Sequence, residues 1–262
     1  MRGILFDLDG VIYLGDKMIA GADDTLEWVC SREIPCLFVT NTTSRPRDAL
    51  CSKLAGMGIT VDPGHILSPP VAAANWLQTH AAAPTALFVP EATRVEFDGL
   101  PLWNGNTEQA VAAVVVGDLG TGWDFHRLNQ AFLLLMQKPQ PSLVALGMTR
   151  YWKAADGLRL DAGPFVAALQ YATGVDPVVT GKPAREFFLA GADKLNIPPD
   201  QLLMIGDDIR GDVQGAQQAG LTGMLVQTGK FRPQDLDTQW RPDAVLASIA
   251  DLPRWWQQHV AE

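Results

Sequence analysis

Basic residues, cysteines and long apolar runs are all scarce in this sequence, and each scarcity removes a class of protein. Lys and Arg number 20 against 29 Asp and Glu, a formal net charge of -9. A surface of that sign repels phosphate backbones and anionic headgroups at long range, so neither nucleic acid nor a charged membrane is an expected partner. The three cysteines, Cys30, Cys36 and Cys51, cannot all pair and lack metal-ligand spacing, so they read as reduced thiols of a cytoplasmic protein. The four histidines, His65, His80, His126 and His259, are scattered. Zinc is left without its usual ligands. No stretch approaches the ~20 apolar residues of a membrane span. The apolar run at Met1 to Phe6 is cut by Asp7, too short for the core of a secretion signal.

What is present is the composition of an ordinary folded chain: 262 residues, 47% hydrophobic and 19% charged. Short runs rich in Val, Ile, Leu and Phe alternate with longer helical stretches, the pattern of βαβ units around a parallel sheet. Strands are expected at Ile4 to Phe6, Cys36 to Val39, Ala86 to Val89, Ala112 to Val116, Leu143 to Leu146, Val178 to Thr180, Leu202 to Ile205 and Gly223 to Val226. Amphipathic helices are expected at Gly21 to Arg32, Asp48 to Met57 and Phe187 to Leu195. The fold class is therefore α/β, a Rossmann-like parallel-sheet core. Pro- and Ala-rich punctuation in the middle marks an inserted α/β domain at about residues 75–176, which leaves 1–74 and 177–262 as the core. The chain is expected to rejoin the core sheet at Val178.

Four of the expected strands run into polar groups of one kind: Asp7-Leu8-Asp9-Gly10, Thr40-Asn41-Thr42, Gly181-Lys182-Pro183 and Gly206-Asp207-Asp208, with Asp212 a turn later. Any one of these, met alone, is an ordinary turn or helix cap. The carboxyl ends of parallel strands share one edge of a sheet, however, and ligands bind in the crevice there. Asp7, Asp9, Asp207, Asp208 and Asp212 gathered in one crevice would repel, and desolvation would raise their pKa values unless a cation were present. Magnesium suits a site with a few carboxylate oxygens and a substrate phosphate. Side chains two apart on an extended segment face the same way, so Asp7 and Asp9 can address one substrate. One carboxylate can then attack phosphorus while the other protonates the leaving oxygen and later activates water. Lys182 offers a compact charge for the phosphoryl group, and Thr40 with nearby N–H groups offers hydrogen bonds.

These motifs and their order resemble the haloacid dehalogenase superfamily. The large insertion, with Phe38 to Thr43 and Gly181-Lys182-Pro183, looks like the branch with a large α/β cap, which holds p-nitrophenyl phosphatase-like and pyridoxal phosphatase-like enzymes. Leu128 to Phe132, Gly163 to Val166 and Thr228 to Arg232 are most similar to the phospholysine phosphohistidine inorganic pyrophosphate phosphatase subgroup. The resemblance implies a magnesium-dependent phosphatase of a small phosphorylated metabolite. It implies Asp7 as nucleophile and metal ligand, Asp9 as acid/base with its main-chain carbonyl on the metal, and Asp207 as the other ligand. Asp208 and Asp212 would hold metal-bound waters, while Thr40, Asn41, Thr42 and Lys182 bind phosphate. Some relatives in that subgroup have Ser where this chain has Asp9, and the retained acid favours ordinary phosphomonoester hydrolysis.

The cap is expected to close over the crevice and exclude water. Arg150, Tyr151, Trp152 and Asp161 are its candidate specificity residues, against the plainer reading of a turn with half-buried aromatics. Gly117, Gly120 and Gly122 have the wrong spacing for a dinucleotide fingerprint and read as loop glycines. Three alternatives compete. A phosphorylatable signalling module needs only one small domain and no cap; a dehalogenase of this family lacks the acid at Asp9; a phosphotransferase, or a pyrophosphatase or phosphoamino-acid phosphatase, shares the same site. Oligomeric state is not set by the sequence, and a homodimer is compatible with it.

Overall fold

The computed structural model describes residues 1–154 and 157–260; the side chains of 153 and 154 lie outside that description. The chain forms two compact units, Met1–Thr40, Arg47–Leu67 and Lys182–Glu262 against Asn41–Pro46 and Ser68–Gly181. No helix among the described residues is long and apolar enough to cross a membrane.

The first unit is built on a six-stranded parallel sheet, in the order Ala244–Leu246, Thr222–Val226, Leu202–Gly206, Gly3–Asp7, Cys36–Val39, Ile66–Leu67. Gly3–Asp7 and Leu202–Gly206 are buried along their whole length, which is why they read as unbroken apolar runs and not as alternating ones. Helices Ala22–Ser31, Arg47–Ala55, Arg185–Leu195, Gly215–Ala219 and Leu252–His259 belong to this unit. Phe6, Phe187 and Phe188 are fully buried, each worth about 1.5–3 kcal/mol relative to an exposed side chain. Trp255 and Trp256 pack the last helix onto the core, with Trp256 edge-on to Trp28 at 6.3 Å.

The second unit carries its own four-stranded parallel sheet, in the order Val178–Val179, Ser142–Ala145, Ala113–Val116, Thr85–Phe88. Helices Pro69–His80, Phe125–Leu135 and Ala162–Thr173 and the hairpin Tyr151–Ala154 with Gly157–Leu160 complete it. Asp124 and Asp161 begin two of these helices, accepting N–H bonds from Arg127 and Ala162.

One expectation is corrected here. Val178–Val179 pairs with Ser142–Ala145 in the second sheet and not with the core strands. Two β-branched residues suit the edge of either sheet, and periodicity carries no information about which one they join. Asn41–Pro46 also groups with the second unit, whose main segment runs from Ser68 to Gly181, against the 75–176 inferred from composition. The reason is the helix Pro69–His80, whose Ala73, Ala74 and Leu77 pack with Val115, Val144 and Leu146 of that unit.

Candidate active site

Three ends of the first sheet lie level. Asp7 closes its own strand, Cys36–Val39 stops one residue before Thr40, and Leu202–Gly206 runs straight into Asp207. The registers Asp7↔Val39 and Phe6↔Ile205 set that alignment. Gly3–Asp7 lies between Cys36–Val39 and Leu202–Gly206, so connections leave it in both directions. This is the switch point at which open parallel sheets hold ligands.

Asp7, Asp207 and Asp212 meet there, all buried, with one oxygen of each lying within 4.8 Å of the others. Lys182, equally buried, sits between two of them: its Nζ donates to Asp7 Oδ1 at 2.7 Å and to Asp212 Oδ1 at 2.6 Å. Burial alone would push the ammonium down, but Asp212 and Asp7 outweigh it and hold the Lys182 pKa above its ordinary value. Burial pushes the Asp207 carboxyl up to about 7; the Lys230 N–H pulls it back, and Asp7 and Asp212 push it further. Burial likewise raises Asp212, against the pull of Lys182. The ammonium groups of Lys182 and Lys230 face four carboxylates, those of Asp7, Asp207, Asp212 and Asp208, so the cluster favours either protons or a further cation.

The individual oxygens decide which chemistry fits. Asp207 Oδ2 accepts the Lys230 N–H at 2.7 Å, while Oδ1 is buried with no hydrogen-bond partner among the described residues. Leaving a buried acceptor unsatisfied costs about 1–3 kcal/mol, and more when it is charged. An all-oxygen donor set with such an orphaned atom fits a hard divalent cation, with Asp7 and Asp207 as the residues that would hold it. Asp212 has both oxygens engaged, Oδ1 by Lys182 and Oδ2 by the Asp208 N–H at 3.1 Å. Gly206 permits this closeness, since a Cβ there would collide with the Asp212 side chain.

The remaining candidates fall elsewhere. Asp208 accepts the N–H groups of Arg210 and Gly211, capping the π-helical turn Ile209–Gln214. Asp9 is exposed and bridges to Tyr13. Its carboxylate is not among the three that cluster, and the metal contact implied for it runs through the main chain instead. Thr40 is buried, and its N–H donates to the Leu67 carbonyl. Asn41 and Thr42 group with the second unit. Tyr151 and Trp152 open the hairpin of that unit with 52% and 42% exposure, and Arg150 lies 5.9 Å from the Tyr151 ring. Asp161 is a helix cap, raised by burial against the pull of the Ala162 N–H.

Gly10, Gly229 and the Lys230 N–H also touch Asp207, and residue-by-residue reading assigns none of them a role. A main-chain donor leaves no trace in residue type. The stretch Thr228 to Arg232 stands out only through family resemblance.

A parallel sheet with a buried acid cluster at its switch point is the arrangement of an α/β enzyme. Residues 4–99 match the family described as haloacid dehalogenase-like hydrolase, and residues 179–252 match a HAD-hydrolase-like family. The chain is 35% identical over 265 residues to the phospholysine phosphohistidine inorganic pyrophosphate phosphatase of Rattus norvegicus, covering 99% of this chain and 96% of that protein. A p-nitrophenyl phosphatase from Archaeoglobus fulgidus has a similar structure, with a TM-score of 0.86 at 25% identity and coverage of 97% and 98% of the two chains. A 4-nitrophenylphosphatase from Thermotoga maritima aligns with a TM-score of 0.85 at 25% identity, covering 97% of each. The chain belongs to the haloacid dehalogenase-like hydrolases, and within them it is a hydrolase of phosphate esters.

Proposed function

We propose that the chain is a magnesium-dependent phosphatase of small phosphorylated metabolites that works through an aspartyl phosphate on Asp7. The observation that carries this reading is the buried group of Asp7, Asp207, Asp212 and Lys182 at the switch point of the sheet. Asp7 attacks phosphorus in line as the bond to the leaving oxygen breaks, and Asp9 delivers a proton to that oxygen. Asp9 then takes a proton from water, whose oxygen attacks the same phosphorus, releasing phosphate and restoring the Asp7 carboxylate. Lys182 balances charge on Asp7 and on the phosphoryl group, and Thr40, Asn41 and Thr42 orient its oxygens. Asp7, Asp207 and the Asp9 carbonyl would hold magnesium, which when bound would supply the positive charge that lets anionic phosphate approach these acids. Asp208 and Asp212 support the metal site from outside it. Arg150, Tyr151, Trp152 and Asp161 of the inserted cap select the leaving group. The reaction belongs in the cytoplasm, which suits thiols such as Cys36, pushed by burial up to about 11 and so inert.

Phosphate release from a panel of phosphorylated metabolites, with and without magnesium, tests the reading. The panel includes pyrophosphate, phospholysine and phosphohistidine, which appear in the rat relative's name. Asp7→Asn is expected to lower turnover by about a thousandfold or more, as loss of a covalent nucleophile does. Near-normal turnover by that variant, with deamidation excluded by mass spectrometry, would overturn the mechanism.

A further inference from the structure

The segment that crosses the strand ends after Thr222–Val226 is tied to Asp207 and to the loop following Asp7 at the same time. The Thr228 hydroxyl donates to the Gly10 carbonyl at 2.5 Å. Lys230 N–H donates to Asp207 Oδ2 at 2.7 Å. Between these two bonds, Gly229 has φ +63° and Gly10 has φ +90°, and a Cβ on either would run into the Asp207 carboxylate. The two glycines thus close on Asp207 Oδ2 from both sides, and each would also meet the other's Cα. The effect on the carboxylate is specific: Oδ2 is engaged and walled in, whereas Oδ1 is buried and has no hydrogen-bond partner among the described residues.

We infer that Thr228 is a positioning residue for the cation site, its hydroxyl locking the Gly229-Lys230 turn onto Gly10 so that Asp207 is fixed with Oδ1 presented. The inference rests on the metal reading above. Thr228 itself touches neither substrate nor metal in this account; it acts through Gly10 and Asp207. Without the hydroxyl, the Lys230 N–H is no longer held against Oδ2, and the carboxylate gains rotamer freedom that cation binding must then remove.

The test is magnesium binding read as the rise in unfolding midpoint of the full chain across a magnesium titration, with no substrate present. Thr228→Val keeps the shape of the side chain and removes the donor. Its half-saturating magnesium concentration is expected to be roughly ten- to a hundredfold that of the wild type, the usual effect of losing an outer hydrogen bond to a ligand. Thr228→Ser retains the hydroxyl and is expected to bind like the wild type. Equal magnesium dependence of wild type and Thr228→Val would overturn the positioning role. So would a Thr228→Ser variant that binds magnesium as weakly as Thr228→Ala, and this second comparison stands even if Thr228→Val does not fold. A wild-type chain that no magnesium concentration stabilises would instead remove the metal reading, and this inference with it.

Discussion

The two units are built alike and finished differently. Each has a parallel sheet with helices between its strands. The strands of the first end at or run into Asp7, Thr40 and Asp207, while three strands of the second run into Val89-Pro90, Gly117-Asp118 and Leu146-Gly147 and the fourth, Val178–Val179, leads through Thr180 and Gly181 back to Lys182 of the first unit. Asp118, the acid near those second ends, accepts the Gly120 N–H at 2.9 Å and shapes a turn. Acids in the first sheet are buried against one another; the acid in the second serves its own backbone. A parallel sheet therefore supplies an edge, and chemistry resides only where the sequence forces like charges together out of water.

That contrast can be broken most severely at Lys182. Lys182→Met would leave Asp7 and Asp212 buried without their shared ammonium, and the metal-free chain is expected to lose about 3–5 kcal/mol of stability, read by chemical denaturation. Magnesium should recover part of the loss. Leu146→Ala, at a fully buried end in the second sheet, should cost about 2–5 kcal/mol with no response to magnesium at all. A loss at Lys182 that magnesium leaves untouched would make the two ends equivalent and sink the contrast.

A smaller effect follows from protons. Burial raises Asp207 to about 7, above its ordinary value near 3.8, and raises Asp212 as well. A carboxyl whose folded pKa lies above the unfolded one binds more protons when folded, so it favours the fold at low pH and loses that contribution as pH rises. In metal-free protein these two groups should erode stability between about pH 4 and pH 7. Denaturation midpoints measured across that range, with and without magnesium, check the sign. Stability climbing through the window without metal would refute the assignment of the strain to these acids.

The smallest expected effect lies in the second unit. Trp152 is 42% exposed, so Trp152→Ala should change stability by within about 0.5 kcal/mol. It should shift the relative kcat/KM among small phosphates and leave inhibition by inorganic phosphate unchanged. An unaltered substrate profile would remove Trp152 from the specificity residues.

Much of the first sheet was legible because a fully buried strand followed by an acid is a distinctive string, as in Ile4 to Asp7 and Leu202 to Asp207. The edge strands Ile66–Leu67 and Ala244–Leu246 were not, since two or three residues give no period to detect. Val178–Val179 was recognisable as a strand and assigned to the wrong sheet, because pairing partners are chosen by tertiary packing. At the site, Asp7, Lys182, Asp207 and Asp212 stood out by type and order. What could not be read was how each oxygen is used. The lone Oδ1 of Asp207, the Lys230 N–H on its neighbour and the glycines at residues 10 and 229 become visible only in three dimensions.

Val178–Val179 has one more consequence. Thr180 is anchored within the second unit through its N–H on the Ala145 carbonyl and its hydroxyl on Pro69 and Ala145, and the unit ends at Gly181. Lys182 is the next residue, so the seam of the insertion falls beside the lysine that neutralises Asp7. The other seams fall between Thr40 and Asn41, between Pro46 and Arg47, and between Leu67 and Ser68; the Leu67 carbonyl accepts the Thr40 N–H. For anyone grafting a different insertion onto this core, the splice points are therefore not neutral scars. A foreign module joined at residues 67 and 182 would inherit the duty of holding Thr40 and Lys182 in place, and a graft chosen only for its own stability would be expected to fold and fail to turn over.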